Sequence, residues 1–108
     1  MTKNKVIVVG AGMVGAAMAI KLAQQGKAVR IIEKKLINPQ QVLSSDQVDI
    51  RVSAINRFSE KLLDELGAMP LLKQSRLAPY QQLEAFERGG DNLLFDCADI
   101  NTTHLGHL

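Results

Sequence analysis

The chain has 108 residues, 46% of them hydrophobic and 22% charged, with a formal net charge of +2. That balance describes a globular domain, and its small positive excess forms no basic stripe with interleaved aromatics, so nucleic acid is not an expected partner. The single cysteine excludes an internal disulfide and fits a reducing cytoplasm, and no apolar run reaches the ~18 residues a bilayer span requires.

Val6 to Val9 is a run of β-branched apolar residues that reads as a short strand buried on both faces, as in a parallel sheet. Gly10, Gly12 and Gly15 follow at G-x-G-x-x-G spacing. Gly10 permits the tight turn out of the strand, Gly12 lets the backbone approach a pyrophosphate, and Gly15 lets a helix pack close to the strand. The helix beginning there, roughly Met13 to Gln25, points its N-terminal amides and the positive end of its dipole at the phosphates. Gly26 stops it, and Ala28 to Ile32 form a second strand ending at Glu33, whose carboxylate is placed to accept from the ribose hydroxyls of an adenosine. Strand, glycines, helix, strand and acid in this order point to adenine-dinucleotide binding. A secretory leader is the competing reading, because Lys3 and Lys5 precede the apolar stretch to Ile20. The spaced glycines and the amphipathic continuation argue against it.

Lys34 to Asp49 is polar and turn-rich, with a turn expected at Asn38-Pro39, and reads as a long loop. Lys34 and Lys35 invite an NADP reading, which Glu33 opposes because its charge would repel a 2'-phosphate, so both read as solvated. Within the stretch from Asp49 to Met69 a helix is expected, N-capped by Ser53, with Phe58, Leu62 and Leu66 on one packing face, Leu63 beside it and Gly67 as C-cap. Arg51, just before it, is suited to a bidentate pairing with a pyrophosphate, against the simpler reading of a surface residue paired with Asp49. A short helix is expected over Pro70 to Arg76. Then QQLEAFE and LLFD, joined by a Gly-Gly turn, make an antiparallel β-hairpin. Asn101 to Leu108 carries no closing signal; its two histidines, His104 and His107, read as surface or capping groups, and no metal site is expected.

With these elements in place, the sequence resembles the flavin-dependent aromatic hydroxylases, the class A flavoprotein monooxygenases. It is most similar to the ubiquinone-biosynthesis hydroxylases of octaprenyl-phenols and octaprenyl-benzoquinols. The motifs are VIVVGAGMVGAAMAIKLAQQG, the Glu33 strand end, DIRVSAINRFSEKLLDELGA, PYQQLEAFERGGDNLLFD and LGHL. The D-x-R-x-S-A-I block and the Pro-Tyr hairpin are more specific than the glycines. The resemblance implies an α/β fold, a partial Rossmann-like FAD-binding βαβ unit followed by helices and the hairpin. It further implies that residues 1–108 are the N-terminal part of an FAD-binding domain. Gly10, Gly12, Met13, Gly15, Glu33 and Lys34 would line the ADP half of FAD, and Arg51 the pyrophosphate or ribityl region. The implied reaction is ring hydroxylation of a polyprenyl-phenol with NAD(P)H and O2. Such a substrate would suit a cytoplasmic enzyme held peripherally at the inner membrane, as an oligomer or in a ubiquinone-synthesis complex.

The sequence departs from the family by ending before its second flavin motif and its substrate-binding sheet, and by carrying Met69 where an aromatic is usual. No catalytic residue is therefore assigned. With two strands of the parallel sheet in view, apolar faces are expected to lie open and the chain reads as incomplete. Two other readings follow. One is part of an NAD-dependent dehydrogenase, which the glycine fingerprint alone permits. The other is a truncated, non-catalytic nucleotide-binding chain that folds against a partner.

Overall fold

The computed structural model describes residues 5–44, 46, 47 and 49–108; Lys3 of the leader reading, and Ser45 and Val48 of the expected loop, lie outside them. The chain divides into two compact units, Met1–Asp46 and Gln47–Leu108.

The first unit runs β1 (Lys5–Val9), α1 (Met13–Gln24), β2 (Ala28–Ile32) and α2 (Pro39–Ser44). β1 and β2 pair in parallel, Lys5 opposite Ala28 through Val9 opposite Ile32, and the Gly10 N–H extends the ladder to the Ile32 carbonyl at 2.7 Å. Small residues, Gly15, Ala16 and Ala19, form the shielded side of α1, so the helix lies close against the strand. α1 ends where the sequence places its stop. Gly26, at φ +78°, donates to the Ala23 carbonyl and Lys27 to that of Leu22, the paired bonds of a Schellman C-cap.

Two expectations change here. β1 is not buried on both faces: Val6 and Val8 are half-buried on the α1 side, whereas Ile7 and Val9 are 60% and 81% exposed. A single helix covers only one side of a two-stranded sheet, so the side-chain alternation of a strand separates the two sets. The expected loop after Glu33 contains α2. The side-chain oxygen of Asn38 accepts from the N–H groups of Gln40 and Gln41 at 3.1 and 3.4 Å, and Pro39 occupies the first helical position. Asn38-Pro39 is therefore a helix start.

The second unit contains β3 (Ile55–Asn56), α3 (Arg57–Glu65), α4 (Met69–Lys73), β4 (Pro79–Tyr80), β5 (Gln82–Phe86), β6 (Asn92–Asp96), a 3-10 turn (Cys97–Ile100) and β7 (Gly106–His107). β5 and β6 form the expected antiparallel hairpin, Gln82 opposite Asp96 through Phe86 opposite Asn92. The unforeseen element is a small sheet in the order β3-β7-β4, antiparallel on both sides of β7. It places Gly106–His107, from the Asn101–Leu108 tail that carried no closing signal, at the centre of a sheet. Leu108 and Ala78 exchange backbone hydrogen bonds beside it. Gly106 is required at this crossing: a Cβ there would overlap the Ile55 carbonyl oxygen and lie 2.9 Å from the Tyr80 hydroxyl.

α3 begins later than expected. Asn56, not Ser53, is the N-cap, its side-chain oxygen accepting from the Ser59 N–H at 2.9 Å. Gly67, at φ +81°, and Ala68 close its C-terminus by bonds to Asp64 and Leu63. The packing face also differs. Phe58 is 80% exposed, and the shielded stripe runs through Glu60, Leu63 and Leu66 to Met69 at the start of α4. α4 itself spans Met69–Lys73 rather than Pro70 to Arg76, with Pro70 in its first turn, where a missing N–H costs nothing. Among the described residues, no helix is long and apolar enough to cross a membrane.

Candidate functional site

The loop from β1 into α1 is shaped by its three glycines, each for a different reason. Gly10 sits at φ +97°, a left-handed conformation that strains any residue with a Cβ. Gly15 is fixed by contact: a Cβ there would overlap the Gly10 carbonyl oxygen and lie 3.5 Å from Val8 Cγ1. Gly12 is the N-cap of α1 in ordinary extended geometry, φ −69° and ψ −179°, and a Cβ built on it meets nothing within 4 Å. The space over Gly12 is open, so the chain's own packing does not require the absence of a side chain there.

Among the described residues no side chain caps the N-terminus of α1, and its first turn carries no acid. The first-turn amides and the positive end of the helix dipole are thus not taken by a side-chain cap or a first-turn acid, the arrangement an anion uses. Met13 is the first helical residue and is exposed.

Glu33, at the end of β2, reaches back to this loop. Its Oε2 accepts from the Ala11 N–H at 2.6 Å, and its Oε1 from the Lys35 N–H at 3.1 Å. The Ala11 and Lys35 amides hold its carboxyl below the usual range, with smaller contributions from the Lys34 amide and the Lys35 charge that together outweigh desolvation. A carboxylate can accept about four hydrogen bonds, so these amides leave it acceptor capacity to spare. Lys34 is exposed. Gly10, Gly12, Met13, Gly15, Glu33 and Lys34 therefore belong to one unit, and its glycine loop and Glu33 are joined directly. Arg51 belongs to the second unit, where it is exposed.

A second polar constellation was not foreseen. Glu60, in the first turns of α3, is only 7% exposed. Its Oε1 meets His107 Nδ1 and lies 3.1 Å from His104 Nε2, and its Oε2 takes Arg57 Nη1 at 2.6 Å. His104 and His107 contact edge-on, with ring centroids 4.7 Å apart. Burial alone would raise the Glu60 carboxyl, but the hydrogen bonds from His107 and His104 and the charge of Arg57 hold it below its ordinary range. The two histidines are thus part-buried partners of one carboxylate and not the surface or capping groups expected. No local pattern marks the cluster, because 44 and 47 positions separate its histidines from Glu60.

The residues present fit the adenosine and pyrophosphate of FAD: an uncapped helix start, an open glycine at its N-cap and an anchored acid at the next strand end. Comparison with known proteins agrees. The sequence profile described as FAD dependent oxidoreductase matches residues 5–88. The chain is 38% identical over 105 residues to the 3-demethoxyubiquinol 3-hydroxylase of Escherichia coli K12, covering 97% of this chain and 26% of that protein. It is 29% identical over 88 residues to the ubiquinone hydroxylase UbiM of Neisseria meningitidis serogroup C, covering 82% of this chain and 18% of that one. The chain thus spans about a quarter or less of the curated relatives it matches. Between the FAD and NAD readings that the glycine fingerprint leaves open, the profile match decides: the chain belongs to the FAD dependent oxidoreductase family.

Proposed function

We propose that this chain provides the ADP-binding part of the FAD site in a monooxygenase that hydroxylates the aromatic ring of a polyprenyl-phenol intermediate of ubiquinone synthesis. NAD(P)H would be the reductant. The observation that carries the cofactor half is the bond from Ala11 to Glu33 beside the open Gly12 cap, which poises a carboxylate for ribose and free amides for pyrophosphate. The substrate half is supported by the two ubiquinone-pathway hydroxylases that the chain resembles.

In this reading Gly10, Gly12, Met13 and Gly15 shape and line the phosphate turn, Glu33 holds the adenosine ribose, and Lys34 flanks it. Arg51 pairs with the pyrophosphate or ribityl region. FAD, when bound, supplies the redox chemistry; the residues here bind and orient its ADP end. Strands of a chain as long as the relatives would cover the open side of β1 and β2. Residues 1–108 then form the N-terminal part of one FAD-binding domain, and a polyprenyl substrate accounts for peripheral association with the inner membrane.

Two experiments test this. Titration of the chain with FAD, in competition with NAD, should show FAD preferred; tight NAD binding without FAD binding would overturn the cofactor assignment. Replacing the matching quarter of the E. coli 3-demethoxyubiquinol 3-hydroxylase with this chain should preserve hydroxylation of its substrate. A folded, FAD-loaded chimera without that activity would count against the substrate assignment alone.

A further inference from the structure

We propose that Glu60, His104 and His107 form a binding site for a divalent cation of the zinc class. Three donors converge from separate places in the second unit: Glu60 on α3, His107 on β7, and His104 in the loop before that strand. One ligand atom from each lies within 4.8 Å of the others. The carboxylate is buried, and the His104 and His107 side chains are only 16% and 13% exposed, so the donors are already largely withdrawn from water before a cation arrives.

The donor set selects the class of metal. Two imidazoles and one carboxylate suit zinc and its first-row neighbours, whereas calcium and magnesium take oxygen ligands. Three protein ligands leave a fourth tetrahedral position open. His104 is also oriented for the task. Its Nδ1 lies 2.8 Å from Thr103 Oγ1; with the Nδ1 proton donated to that hydroxyl, Nε2 would exchange its hydrogen bond to Glu60 for a lone-pair bond to the metal. Such outer partners normally fix the tautomer of a ligating histidine.

A cation already occupies the point of convergence. Arg57 Nη1 lies 2.6 Å from Glu60 Oε2 and 2.5 Å from His104 Nε2, against the atoms that a metal would take. Its side chain is about half exposed, at 49%, so the guanidinium can swing into water when a cation displaces it. Metal binding would then pin α3 to β7, the central strand of the small sheet, and tie the Asn101–Leu108 tail to the rest of the unit.

The test is titration of the untagged, chelator-treated chain with Zn2+ by calorimetry and with Co2+ by visible absorption. One ion per chain is expected, with a tetrahedral cobalt spectrum lacking a thiolate charge-transfer band and a thermal midpoint raised by Zn2+. His104→Gln and His107→Gln should each weaken binding by more than the ~100-fold that loss of an outer partner can cost. Arg57→Ala should retain one ion per chain and bind it more tightly, because a competing charge is gone. Should a histidine variant fail to fold, the cobalt spectrum of the unaltered chain and the Arg57→Ala affinity still decide. Absence of saturable binding, a thiolate band from Cys97, or weaker binding in Arg57→Ala would overturn the proposal.

Discussion

The Ala11 N–H donates to the Glu33 carboxylate across 2.6 Å, joining the glycine loop after β1 to the end of β2. The acid is therefore positioned before any cofactor binds, and less ordering is required when it meets a ribose. Glu33→Ala should weaken FAD binding roughly tenfold or more, as expected for loss of hydrogen bonds to a charged group. Fluorescence titration measures this. Unchanged affinity would mean that Glu33 only closes the loop.

The same bond sets a pH dependence. The Glu33 carboxyl is held below its ordinary value chiefly by the Ala11 amide and then that of Lys35. A depressed carboxyl stabilises the fold above its unfolded value, about 4.3 for Glu, and loses that contribution as pH falls through the lower folded value. The stability difference between the native chain and Glu33→Gln should thus be constant near neutrality and shrink only below about pH 4. Denaturant melts across that range test this; a difference that grows on acidification would contradict it.

Glycines in close contacts should behave unlike the open one. Gly15→Ala would drive a methyl into the Gly10 carbonyl, and Gly106→Ala would drive one into that of Ile55. Each should cost about 1–3 kcal/mol, the range for overpacking. Chemical denaturation gives the numbers, and a loss below about 0.5 kcal/mol at either site, the range of ordinary surface changes, would contradict the packing described.

Capping of α3 offers a direct comparison. Asn56→Ala removes the acceptor for the Ser59 N–H and should destabilise by about 1 kcal/mol. Ser53→Ala should be nearly neutral. The reverse order would restore Ser53 as the cap that the sequence suggests.

These contrasts show where the sequence was informative. The βαβ unit was legible because each signal is local: apolar strand residues, glycines at fixed spacing, Gly26 as a stop and an acid at the next strand end. The hairpin was legible for the same reason. The β3-β7-β4 sheet was not, because two-residue strands carry no period and β7 pairs with residues far away in the chain. Ser53 and Asn56 are both good cap residues, and only the position of β3 decides between them. Phe58, Leu62 and Leu66 made a plausible face by spacing, yet the buried stripe passes through Glu60, whose charge is tolerable there because Arg57, His104 and His107 surround it. Nothing near Glu60 in sequence announces the two histidines.

The most direct measurement of the central claim is FAD titration of Gly12→Val beside the unaltered chain. A side chain at Gly12 meets nothing within 4 Å, so the fold should survive with at most the ~1 kcal/mol that a poorer N-cap costs. A branched side chain there would stand where the pyrophosphate must approach. The account predicts a folded variant that no longer binds FAD. A folded variant with undiminished FAD affinity would contradict it.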